Sequence, residues 1–95
     1  MHLRQTLLSR EDIRSIYLKG LKSFGRQKAE TYLEGLIDVF DLLAANPMMP
    51  RERTEFSARV HNHPYRADLV VYRIEDSDLI ILRVLASRQD IETQL

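Results

Sequence analysis

Four arginines, Arg66, Arg73, Arg83 and Arg88, punctuate the last third of the chain, which is otherwise its most strand-like part. A guanidinium is always charged and offers a planar fork of donors that suits carboxylates and phosphates. Two readings of the set stand: the arginines pair with Asp68, Glu75, Asp90 or helix carboxylates, or they form an anion-binding or partner-binding surface. The three lysines, Lys19, Lys22 and Lys28, all precede them, and every cation after Lys28 is arginine. That division suits a solvated helix face first and fixed polar contacts later.

Other candidate chemistry is thinner. His61-Asn62-His63 places two imidazoles on one side of an extended segment. A zinc site needs further ligands, and a chain without cysteine cannot supply thiolates, so edge histidines are the expectation. No metal ligand set and no cofactor follow. Ser9, Ser15, Ser23, Ser57, Ser77 and Ser87 show no nucleophile elbow. Gly20, Gly25 and Gly35 form no phosphate-binding loop. Glu30, Glu34, Asp38 and Asp41 have the spacing of a solvated helix side. No catalytic residue is assigned.

The elements that must position these groups follow from periodicity. Leu3 to Leu8 is a candidate strand. Ser9 has the character of a helix N-cap, with Asp12 completing a capping box. Ile13, Ile16, Tyr17, Leu21 and Phe24 then recur at helical spacing up to Gly25. A second helix is predicted from about Arg26 to Ala45, with Ala29, Tyr32, Leu33, Leu36, Ile37, Phe40, Leu43 and Ala44 as its apolar stripe. Asn46-Pro47 ends it. Phe56 to Val60 is a weak strand; Ala67 to Ile74 and Leu79 to Leu85 are strong ones. Glu75-Asp76-Ser77-Asp78 is the turn between them. With Asp76-Ser77 central, Ile74 pairs with Leu79 and Val70 lies opposite Arg83. Arg66, Tyr72 and Arg83 would then share one face and Arg73 the other, subject to reversal by a one-residue slip.

The order β-α-α-β-β-β defines an α+β class: a two-layer domain in which a helical hairpin packs on a small, mainly antiparallel sheet. The 95 residues suffice for one domain, spanning 1–95. Composition is that of an ordinary soluble protein, with 14 basic and 14 acidic residues and a pI near 6.8. Neutral charge argues against a protein that holds nucleic acid mainly through phosphates. No apolar run is long enough for a membrane span, no signal peptide is visible at the start, and cysteine is absent, so a cytoplasmic location is expected.

These motifs together resemble the ParE branch of the RelE/ParE toxins of bacterial type II toxin–antitoxin systems. The resemblance spans nearly the whole chain. It starts at Asp12-Ile13-Arg14-Ser15-Ile16-Tyr17 and Phe24-Gly25, runs through Ala29-Glu30-Thr31-Tyr32-Leu33 and Leu43-Ala44-Ala45-Asn46-Pro47, and is most specific at Tyr72-Arg73 and at Ile81 to Asp90. Three departures stand out: Ala86 and Asp68 where the family often has histidine, and Pro50 where glycine is common. The resemblance implies a toxin without enzymatic activity that binds and blocks DNA gyrase. It would be neutralised by a ParD-like antitoxin in a hetero-oligomer. Arg73, Arg83, Arg88, Gln89 and Asp90 are the implied gyrase-facing residues, extended by the tail Ile91–Leu95. Tyr17, Leu21, Phe40, Tyr72 and Ile81 are the implied antitoxin-facing ones. The alternative is a ribosome-dependent messenger RNA endonuclease of the RelE branch. Against it, Leu69 replaces a strand arginine, no tyrosine follows Tyr72, and only Arg88 remains of that branch's catalytic set. A third reading, a toxin that has lost activity but still binds antitoxin, rests on Ala86 and Asp68 alone.

Overall fold

In a computed structural model, residues 1–46 and 60–86 are described. They form β1 (His2–Gln5), α1 (Leu7–Phe24), α2 (Arg26–Ala45), β2 (His61–Tyr65), β3 (Asp68–Glu75) and β4 (Asp78–Leu85). The sheet order is β1-β4-β3-β2; β1 runs parallel to β4 and the other pairs are antiparallel. The helical hairpin packs on one face, giving the α+β arrangement that the residue pattern implied.

The apolar stripes account for this layering. Leu36, Phe40 and Leu43 of α2 pack with Val70, Tyr72, Leu79, Ile81 and Val84 in one core cluster. On the opposite face Val60, Val71 and Leu85 form a second cluster with Leu69 and Leu82. Burial on both faces explains why β3 and β4 are nearly continuous apolar runs. Each large side chain fully buried here stabilises by roughly 1.5–3 kcal/mol.

The start of α1 differs from expectation. Thr6, not Ser9, is the N-cap: its hydroxyl accepts from the Ser9 amide at 3.0 Å and donates to the Leu82 carbonyl at 2.7 Å. Ser9 lies inside the first turn, where its hydroxyl donates to the Thr6 carbonyl at 2.9 Å. The earlier cap shortens β1 to His2–Gln5 and turns Leu7 and Leu8 into exposed residues of α1. Gly25, at φ +89°, joins the two helices in a backbone region open to glycine.

The Asp76-Ser77 turn holds, and Ile74 pairs with Leu79 as expected. Beyond it the register shifts. Tyr72 pairs with Ile81 and Val71 with Arg83, which leaves Leu82 as the extra residue of a β-bulge. Val70 therefore faces Val84, correcting the expected Val70–Arg83 pairing. The second strand in chain order proves to be His61–Tyr65, an edge strand. Of the expected Phe56–Val60 strand, Val60 precedes β2 without belonging to it, and Phe56 to Arg59 fall outside the described residues.

The bulge coincides with the tie between layers. Asp12 of α1 accepts from Arg83 Nε at 2.8 Å and Arg83 Nη2 at 2.9 Å, and from the Val84 amide at 3.0 Å. Freed from a capping role, Asp12 instead closes a bidentate pair. The partners are only 20% and 14% exposed, so solvent screens them less than a surface pair. Asp12→Ala removes one acceptor from the Arg83 guanidinium and from the Val84 amide together, whereas Arg83→Met leaves Asp12 its bond from Val84. Asp12→Ala should cost about 2–4 kcal/mol and Arg83→Met less, read from urea unfolding midpoints.

Candidate functional site

Where α1 and α2 meet at Gly25, the hairpin overhangs the start of β3 and the end of β4. Between them opens a groove of about 1220 Å³. Ile16, Leu33, Val84 and Leu85 give it an apolar lining, Tyr17 and Phe24 add aromatic surface, and Lys19, Lys28 and Arg66 supply exposed cations. Asp68 and Tyr32 also line it.

Asp68 opens β3, and its residue exposure is only 7%. The Tyr32 hydroxyl donates to its Oδ2. Burial pushes the Asp68 carboxyl up from its ordinary range, opposed by the Tyr32 hydrogen bond and the charge of Lys19. Burial and the carboxylate beside it also raise the Tyr32 phenol well above its ordinary value. A second tyrosine completes the cluster. Tyr65 meets Tyr32 edge-on, with ring centroids 4.9 Å apart, and its hydroxyl donates to the Tyr32 carbonyl at 2.8 Å. Gly35, one turn of α2 further on, makes room for that hydroxyl: a Cβ there would collide with it. Arg66, in the left-handed region at φ 52°, begins the β2–β3 turn and holds its guanidinium carbon 5.8 Å from the centre of the Tyr65 ring.

The residues singled out from the sequence divide sharply. Tyr17 lines the groove, and Leu21 is half-buried on α1 outside it. Phe40, Tyr72 and Ile81 are wholly buried at 0% exposure, so as folded they fill the core and offer no surface to a partner. Arg83 is held by Asp12, and Arg73 is exposed and pairs with Glu75 at 3.0 Å. The pairing reading of the arginines thus applies to both, through a helix carboxylate for Arg83 and a strand neighbour for Arg73. An exposed pair such as Arg73–Glu75 adds about 0–1 kcal/mol and leaves the guanidinium reachable. Arg88, Gln89, Asp90 and the tail Ile91–Leu95 lie outside the described residues. His61 stacks on Tyr72, ring centroids 5.2 Å apart, against the core. Among the described residues no three His, Asp or Glu side chains gather as metal ligands, and no helix is long and apolar enough to cross a membrane.

The Tyr32–Asp68 pair was not foreseen: the sequence placed Tyr32 in the core stripe and offered Asp68 as a partner for an arginine or as a family departure, whereas Asp68 accepts from Tyr32. The available signal was a lone carboxylate opening a run of apolar strand residues.

Comparison with known proteins agrees with this architecture. The family model for the ParE toxin of the type II toxin–antitoxin system parDE matches residues 3–91. Toxin ParE3 of Caulobacter vibrioides is 26% identical over 84 residues, covering 88% of this chain and 84% of that protein. Among solved structures, the chromosomal ParDE TA system from P. aeruginosa superposes with a TM-score of 0.82 at 18% identity, covering 93% of this chain and 97% of that one. A YoeB/ParE toxin from Agrobacterium tumefaciens gives 0.60 at 19% identity, covering 90% and 98%. These two likenesses are of fold. The chain belongs to the ParE toxin family of type II toxin–antitoxin systems.

Two outcomes test the cluster. Alanine in place of a helix glycine ordinarily stabilises by about 0.5–1 kcal/mol. Gly35→Ala should instead destabilise, and less so in a Tyr65→Phe background, measured by thermal unfolding of the four variants of the cycle. Asp68 has a raised pKa in the folded chain, so its protonated form favours folding. That contribution is complete below the unfolded value near 3.8 and fades as pH rises through the higher folded value. The stability of wild type relative to Asp68→Asn should therefore improve as pH falls from neutral through that range, followed by urea titrations.

Proposed function

We propose that this toxin acts by binding DNA gyrase in the cytoplasm, without catalysis of its own, and is neutralised by a ParD-like antitoxin. The observation that carries this reading is the ParE family match across residues 3–91. Two of the four described phenols support it as well. Tyr72 is wholly buried with its phenol pushed up to about 12, and Tyr32 is engaged with Asp68. Neither is poised to exchange a proton with RNA near neutral pH, as a nuclease would require.

Arg73 is the described residue best placed to meet gyrase, and Arg88, Gln89 and Asp90 are its proposed companions from the tail. Arg83 supports that surface by anchoring β4 to α1. For the antitoxin we assign the groove beside Tyr17. Its apolar lining suits the buried face of an amphipathic segment, and Lys19, Lys28 and Arg66 suit acidic residues along that segment's margins. Leu21, half-buried outside the groove, is kept at the margin of that site.

Purified toxin at micromolar concentration should inhibit gyrase supercoiling and accumulate cleaved DNA, with activity restored by antitoxin. Arg73→Glu should weaken inhibition without lowering thermal stability. Undiminished supercoiling, or ribosome-dependent cleavage of messenger RNA by the same preparation, would overturn the proposal.

A further inference from the structure

Asp68 is anomalous where it stands. It is a carboxylate almost wholly withdrawn from solvent, in a groove whose lining is mostly apolar. A buried charge is costly unless hydrogen bonds and an opposite charge compensate it. The compensation visible is partial. Tyr32, a neutral donor, serves Oδ2. Lys19 is near enough to favour the charged carboxylate but forms no direct ion pair with it. Among the described residues no further hydrogen bond reaches the group, though a carboxylate has about four acceptor positions.

We infer that Asp68 is a specificity-determining residue of the groove, receiving an arginine or lysine from the antitoxin segment that occupies it. The inference rests on the assignment of the groove to the antitoxin. Covering the groove removes the water that now reaches its lining. An occupant that is apolar opposite Asp68 would leave the carboxylate buried with a single neutral donor, and binding would bear that desolvation. An occupant with a cation at that point makes a charge-assisted hydrogen bond in a water-poor setting. The carboxylate thereby admits one class of segment and penalises its competitors. The occupant so defined is amphipathic. It presents apolar side chains to Ile16 and Leu33, acidic ones to Lys28 and Arg66, and one buried cation to Asp68.

The test is calorimetric titration of the toxin, residues 1–95, with a ParD-like antitoxin that neutralises it. Asp68→Asn preserves the acceptor for Tyr32 while removing the charge, and should weaken binding at least about tenfold. Replacing each arginine and lysine of the antitoxin with glutamine should reveal one whose loss costs as much in wild type and little more in Asp68→Asn, a coupled pair. If Lys28→Glu and Arg66→Glu weaken binding while Asp68→Asn stays within about twofold, the inference is overturned and the groove assignment survives. If none of the three alters the affinity of an antitoxin that binds wild type, the groove assignment fails and the inference with it. Should Asp68→Asn not fold, the antitoxin scan against wild type decides alone. The absence of any cation worth about tenfold overturns the inference.

Discussion

The carboxylate of Asp12 is the joint on which the two layers turn. It accepts three hydrogen bonds from β4, two through the Arg83 guanidinium and one from the Val84 amide. One turn and a half earlier, Thr6 caps α1 and donates to the carbonyl of Leu82, the residue left unpaired by the bulge. The polar groups that the bulge removes from the ladder are thus taken up by the helix that packs across it. The two features need each other. Without the bulge, Arg83 and Val84 would follow the uninterrupted alternation of the strand; without α1, the freed polar groups would lie buried and unmet. A parallel β1 beside β4 carries the chain directly into this junction, since the Thr6 amide also donates to the Ile81 carbonyl at 3.1 Å.

This joint marks the limit of what the sequence discloses. The stripe Leu36, Phe40, Leu43 and the runs Val70–Tyr72 and Leu79–Ile81 were legible because period and burial agree. The helix break at Gly25 and the turn at Asp76-Ser77 were legible because those residues suit the conformations required. The bulge was not. Nothing in Ile81-Leu82-Arg83-Val84 distinguishes a continuous strand from one with an extra residue, and a shift of one position reassigns every later partner. The same difficulty hid the roles of the carboxylates. Asp12 three residues after Ser9 fits a local capping rule, but its partners lie 71 and 72 residues away. Tyr32 and Asp68 are separated by 36 residues, and no local period relates them. Periodicity finds the core well and finds long-range polar pairs poorly, because only the fold creates them.

The arginines show why residue type and residue role must be kept apart. Arg83 and Arg73 fall in the same hairpin, and both sit in the segments most characteristic of the family. Their environments separate them. Arg83 is committed to Asp12, and moving it to another partner would break the layer contact it maintains. Arg73 holds Glu75 on an exposed strand face, where little energy opposes exchanging that partner for another. A loss of toxic action on replacing Arg83 would therefore report on folding as readily as on target contact, whereas the same loss at Arg73 would report on contact.

A parallel distinction governs the groove. Its apolar lining can accept many amphipathic segments, because burial of hydrocarbon is non-directional and scales with area. Selectivity has to come from groups that are costly to bury wrongly. Among the lining residues the exposed cations are poor at this, since solvent and salt screen them and a mismatched partner loses little. Asp68 differs because the fold has already withdrawn it from water and given it only part of its hydrogen bonding. Tyr65 and Gly35 bear on that condition indirectly: the close seating of Tyr65 against α2 fixes Tyr32, and Tyr32 fixes the carboxylate. The packing that stabilises the end of the sheet is thereby the same packing that orients its least tolerant group, and a substitution that loosens the tyrosine pair would relax discrimination before it relaxed affinity.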